Sequence, residues 1–196
     1  MLPEKFIFIG VAINLFCSLW YIKSILKGNT RPNIVSWFIW MLAPFIGVFL
    51  QLKAGAGFSS LGVFMAGFGP FLVLSFSIWK RAYFWKLEKF DFVCGFFSVL
   101  ALTFYILTKN PALSIIFAIL SDGLAYIPTL VKTWKSPESE SSSTYFGGIT
   151  NNVISLFIIK DWSFAIYSFN IYLILINILE VAFIYRKKIF KIRNFS

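Results

Sequence analysis

The sequence has no histidine, and that absence removes imidazole general bases, Ser-His triads and most zinc sites at once. Cysteine is almost as scarce: Cys17 and Cys94 both fall inside apolar runs, which argues against a disulfide scaffold and for buried thiols. Charged residues make up only 13% of the chain, with eight acids in all. No nucleotide-binding motif is present either, so direct coupling to ATP is not expected. What fills the 196 residues instead is apolar: 59% are hydrophobic and 20% aromatic, with a mean hydropathy of +0.80. Soluble domains use roughly 45–50% apolar residues, so this composition belongs in a bilayer. The apolar runs have the length of membrane helices and lack the alternation of barrel strands.

Hydropathy predicts seven spans: Phe6 to Ile22, Ile34 to Leu52, Phe58 to Trp79, Phe92 to Leu107, Pro111 to Val131, Tyr145 to Ile159 and Ser163 to Tyr185. The first lacks a small-residue cleavage site and counts as a span rather than a signal peptide. Lys5, Lys53, Lys109 and Lys160 then fall on one side, and the other fourteen lysines and arginines on the opposite side. By the positive-inside rule the N-terminus is outside and the C-terminus cytoplasmic. The net charge of +10 belongs to that cytoplasmic side. There the tail "RKKIFKIRNFS" is expected to meet anionic lipid at about 1 kcal/mol per charge. The bias accounts for the charge without nucleic acid as a partner.

Two segments align. "YIKSILKGNTRPNIVSWF" from Tyr21 and "YIPTLVKTWKSPESESSSTYF" from Tyr126 match once three residues are inserted in the second loop, so that Ser36-Trp37-Phe38 meets Thr144-Tyr145-Phe146. The expected fold is therefore all-α and integral to the membrane, seven transmembrane helices in a 3+1+3 arrangement of two parallel three-helix repeats. Residues 1–82 form the first repeat, 83–110 the linker and fourth helix, and 111–196 the second repeat with its basic tail.

On these residues the chain resembles the SWEET and PQ-loop superfamily of small seven-span transporters, whose halves are related by an axis along the membrane normal. The resemblance is best from Asp122 to Tyr185. There "YIPTLVKTWKSPESESSSTYFGGITNN" looks like that family's second repeat motif and "IYSFNIYLILINILEVAFIY" like its last span. It implies a substrate-facing role for Asn170 and puts Glu180 where the family usually has glutamine. There is no Pro-Gln dipeptide in either half, and Gly67 stands where the partner asparagine of Asn170 would be. The Trp37-x-x-Trp40 pair is shared with nicotinamide riboside transporters of the Pnu type, another 3+1+3 family, although there it lies in the second half.

Asp122 interrupts an apolar stretch at a cost of roughly 2.5–3.5 kcal/mol on insertion scales. It should face the bundle interior, on a stripe with Tyr126 and Thr129. Pro128 frees the carbonyl of Leu124 one turn away. The functional reading of Asp122 is a substrate ligand or proton-coupling carboxylate; the structural one is a tie to Asn14 or Ser18 of another helix. Asn151, Asn152 and Asn170 offer amides that both donate and accept, which suits hydroxyl- or amide-bearing solutes, and interhelical hydrogen bonding is the alternative. Asn14 and Trp37 complete the candidates, although aromatic belting is the ordinary explanation of Trp37 and Trp40 near a membrane interface. Glu180, close to Arg186, is read as a structural residue reaching the interface or a loop cation. Pro128, Pro44 and Pro70 are candidate hinges.

The expected function is transport of a small solute, sugar-like, amino-acid-like or nucleoside/vitamin-like, by alternating access at a site between the repeats, with proton coupling through Asp122 as one form. A ligand-sensing or cargo receptor on the same fold is the alternative. A retinal receptor would need a lysine in span seven, which has none, and an aspartyl protease would need a second facing acid, for which only Asp91 is near a span. No enzyme activity, metal or cofactor is expected. The partners are the solute and anionic lipid, with a second copy of the chain a further candidate. The abundance of Ile, Phe, Lys and Asn and the short loops fit a bacterial cell-membrane protein.

Overall fold

The structure, a computed structural model, describes residues 2–80, 86–108 and 110–193, leaving aside the side chains of 101, 111 and 188–193. Arg81, Lys109 and the tail from residue 188, used above for orientation and lipid contact, lie outside the described residues or side chains. Among the described residues there are seven α-helices and no strand: α1 (Ile7–Leu26), α2 (Ile34–Lys53), α3 (Leu61–Trp79), α4 (Lys89–Leu107), α5 (Pro111–Lys135), α6 (Ser143–Ile158) and α7 (Phe164–Arg193). Six of them, all but α6, are long and apolar enough to cross a membrane. With 16 residues, α6 is about 24 Å long, short of the ~30 Å hydrocarbon core. The chain is an all-helical, multi-pass membrane protein.

The helix ends follow local chemistry. Asn33 caps α2 by accepting from the amides of Val35 and Ser36, and Asn110 caps α5 by accepting from Ala112 and Leu113, with Pro111 in the first turn. α4 starts at Lys89 because Glu88 and Asp91 form a reciprocal capping box. Asp91 also accepts from the Asn33 side chain at 3.1 Å, so this acid is committed to joining two helix starts.

α1 packs on α3 and α6, α2 on α3 and α5, and α7 on α5 and α6, while α4 lies against α5 and touches α2. α6 runs antiparallel along α1. The amide of Leu2 donates to the Phe157 carbonyl at 3.0 Å; Gly10 lies against Asn151, and Gly147 against Asn14 and Cys17. A Cβ on Gly147 would stand 2.7 Å from the Cys17 Cβ and 3.1 Å from the backbone of Asn14. Gly147→Ala should therefore cost about 1–3 kcal/mol by overpacking. Gly47→Ala, whose Cβ meets nothing nearer than 3.5 Å, should be neutral or slightly stabilising. Thermal unfolding of the two variants in detergent would check this, and equal behaviour would remove Gly147 as a close-approach point.

Many large apolar side chains remain exposed, among them Phe92, Phe96 and Phe104 of α4, as expected where lipid is the solvent. Polar residues are turned inward instead: Asn14, Ser18, Asp122, Asn151, Asn170 and Glu180 are all buried. Pro44, Pro70 and Pro128 lie inside α2, α3 and α5. Beside Pro128 the Ala125 carbonyl accepts from the Ser36 hydroxyl at 2.6 Å, and Thr129 donates to Ser36 at 2.9 Å. The proline-weakened turn of α5 is thus stitched to α2.

Candidate functional site

Between the helices lies a cavity of about 50 Å³, with lining residues from α1, α2, α3, α5, α6 and α7. By the measure of roughly 10–15 Å³ per water, it has room for a few water molecules. Ligand pockets run to roughly 300–1,000 Å³, so a solute of ordinary size enters only if the helices part. Asp122 and Tyr126 of α5, Asn14 of α1, Trp37 of α2 and Asn152 of α6 all line it. These are five of the seven binding candidates, drawn from both halves of the chain. Trp40, Tyr145 and Asn177 join them.

Asp122 is 1% exposed. It accepts from the Tyr172 hydroxyl at 2.9 Å, rather than from Asn14 or Ser18. Tyr126 donates to Asn177 Oδ1 at 3.0 Å. Trp37 and Trp40 are 2% and 4% exposed, which corrects the belt reading: their rings face inward and touch in a chain Tyr21–Trp37–Trp40–Tyr126 of tilted and edge-on contacts, with centroids 4.8, 5.4 and 4.1 Å apart. Five buried polar atoms on the residues around the cavity have no hydrogen-bond partner among the described residues: the side-chain oxygens of Asn14 and Asn152, the indole nitrogens of Trp37 and Trp40 and the Tyr145 hydroxyl. Buried polar atoms are paired in the great majority of cases. Five unpaired ones on the residues of one cavity are therefore a local exception to that pattern.

Asn151 and Asn170 are elsewhere. Asn151 donates to the Gly62 carbonyl at 2.9 Å and Asn170 to the Ile166 carbonyl at 3.0 Å. A Cβ on Gly62 would overlap the Ser155 hydroxyl and stand 3.2 Å from Asn170 Oδ1. Asn151 thus ties α6 to α3 at one end of the bundle, the Asn170 bond stays within α7, and Gln51 ties α2 to α7 by donating to the Ile166 carbonyl at 3.0 Å.

The lysine- and arginine-rich end is closed by an ionic latch. Glu140, in the loop before α6, is buried; it accepts from Tyr21 at 2.5 Å, from the Ser141 amide at 3.2 Å and from the Lys132 ammonium, itself buried. Lys132 also donates to the Arg31 carbonyl at 2.8 Å, and the Arg31 amide donates to Ser139 at 3.0 Å. Two loops, one from each half, are thereby locked together. Glu140 also borders an outer cleft of about 420 Å³ with Ser24, Thr30, Ser142 and Tyr185. The contacts Glu140–Tyr21–Trp37 lead from that cleft to the cavity.

Glu180 differs from the expectation of an interfacial acid. It is fully buried and accepts from the Thr133 hydroxyl. Arg186 instead donates to the α5 carbonyls of Thr133 and Trp134 and lies 4.6 Å from the Trp134 ring centre. Because α7 packs directly on α5, the carboxylate has no route to the interface.

Tyr145 and Glu140 carry no sequence signal of a site taken singly. The alignment of Trp37 with Tyr145 was the available hint, since one of the pair was already a candidate. Compared with protein-family models, curated proteins and solved structures, the chain matches none.

Proposed function

We propose that the chain is a small-solute carrier of seven spans in a 3+1+3 plan, working by alternating access at the central cavity. The observation that carries the reading is the small central cavity lined from both halves, with the buried carboxylate of Asp122 in its wall.

The helix packing supports the plan. The contact of α1 with α6 has its counterpart in that of α5 with α2, and α3 stands to α1 and α2 as α7 stands to α5 and α6. A two-fold exchange of triplets produces this pattern, and it leaves α4 as the linker. The aligned Trp37 and Tyr145 both line the cavity, and the aligned Tyr21 and Tyr126 share one core cluster. α6 packs antiparallel along α1, a helix long enough to cross, which supports counting it as the seventh span despite its length. The N-terminus is then outside and the basic C-terminus cytoplasmic, which makes the Lys132–Glu140 latch an inner gate and the Asn151–Asn170 cluster an outer one. With both contacts made, the arrangement corresponds on this reading to a state between the two openings. Pro44, Pro70 and Pro128 are the points where triplets bend as one gate opens.

Uptake by proteoliposomes of radiolabelled sugars, amino acids, nucleosides and small amines tests the proposal. Wild-type protein is expected to move at least one solute, and Asp122→Asn to reduce that flux at least about tenfold while remaining folded. Binding without flux would select the receptor reading; unchanged flux in the variant would take Asp122 out of the site.

A further inference from the structure

The cavity wall narrows the class of solute, and this step rests on the carrier reading only for its choice of site. Four aromatic side chains, Trp37, Trp40, Tyr126 and Tyr145, share the wall with a single carboxylate, Asp122. Among the described residues no lysine or arginine lines the cavity, and Asp122 is in no salt bridge. Its hydrogen-bond donor is a neutral phenol, Tyr172. The buried ammonium of Lys132 is held by Glu140 at the latch, and Glu180 is held by Thr133.

The wall holds a carboxylate and, among the described residues, no cationic side chain to balance it. An aromatic face carries the negative end of its quadrupole, so ring faces and the carboxylate favour a cation, while the N–H and O–H edges of Trp40 and Tyr145 can serve an acceptor group on the same solute. A neutral polyol would find amide partners in Asn14 and Asn152, but it would gain nothing from the rings' quadrupole and would leave Asp122 without a counter-charge. A cation gains from the rings and the carboxylate together, and the gain grows where water is excluded. Trp37, Trp40 and Tyr126 already touch, with centroids 5.4 and 4.1 Å apart, so they form one aromatic cluster in the same wall as Asp122. The volume of about 50 Å³ limits what the closed site holds to a compact head.

We propose that the central cavity receives a small organic cation, its amine or quaternary ammonium head seated among Trp37, Trp40, Tyr126 and Tyr145 with Asp122 as counter-charge.

Isothermal titration of the purified full chain with methylammonium, tetramethylammonium and choline tests this. The comparators are 3,3-dimethyl-1-butanol, the uncharged carbon isostere of choline, and glucose. At least one cation is expected to bind, with both neutral compounds at least about tenfold weaker. Trp40→Leu should weaken the cation about tenfold or more, whereas Trp40→Phe, which keeps a π face, should retain most of the affinity. Asp122→Asn should weaken it as well, and the tryptophan pair decides the matter if that variant does not fold. Failure of all three cations to bind, equal binding of the isostere, or indifference of a folded Trp40→Leu protein would overturn the proposal. Cation binding without uptake into proteoliposomes would remove the carrier reading and leave this one standing. Uptake of a neutral solute with no cation binding would do the reverse.

Discussion

Lys132→Met is expected to cost the folded protein about 3–5 kcal/mol, because it strands the Glu140 carboxylate inside the bundle without its counter-charge. Both side chains of the pair are buried. Tyr21 and the Ser141 amide still donate to Glu140 after the substitution, but neither supplies charge, and the Arg31 carbonyl loses its donor as well. Lys132→Met/Glu140→Gln should recover at least half of the loss, since glutamine still accepts from Tyr21 and brings no charge into the bundle. Thermal and denaturant unfolding of the single and double variants in detergent would measure the coupling. A single variant within about 1 kcal/mol of wild type would mean that water reaches Glu140 and that the latch is not a sealed contact.

Thr133→Val should be the next most damaging change, at about 3 kcal/mol, the upper part of the range for stranding a buried polar group. Glu180 is fully buried, Thr133 is its hydrogen-bond donor, and its second carboxylate oxygen has no hydrogen-bond partner among the described residues. Valine keeps the shape and removes the hydroxyl, so the cost isolates the hydrogen bond from packing. Glu180→Gln should go the other way and be neutral or stabilising by up to about 1 kcal/mol, because an amide accepts from Thr133 without bringing an acid into the interior. The same unfolding measurements check both. If Glu180→Gln proved as harmful as Thr133→Val, the carboxylate would have a role that hydrogen bonding to Thr133 does not explain.

The class of the molecule and most of its helix ends were legible along the chain. Long apolar runs need no tertiary information to be recognised, because each helix satisfies its own backbone in lipid. Asn33 and Asn110 announce two helix starts by local chemistry. Asp122 was legible for a related reason: a carboxylate costs too much in hydrocarbon to face lipid, so its inward direction follows from its position alone. Tyr21-Ile22 and Tyr126-Ile127 open matching segments, which is the sequence basis for expecting a repeat.

What the chain could not disclose was the sorting of its polar residues. Asn151 and Asn152 are neighbours in sequence, yet one ties α6 to α3 at the end of the bundle and the other lines the cavity; a rotation of about 100° per residue separates them, and only packing decides which direction is which. Trp37 and Trp40 read as interface anchors from their depth, and became cavity wall because α5 and α6 cover them. Glu140 reads as a solvated loop acid, and its burial depends on Lys132 and Tyr21 arriving from α5 and α1. Depth in the membrane is a property of one segment and can be read from it. The partner across a helix interface depends on every other segment, and in this protein the cavity and its latch are built from such partners.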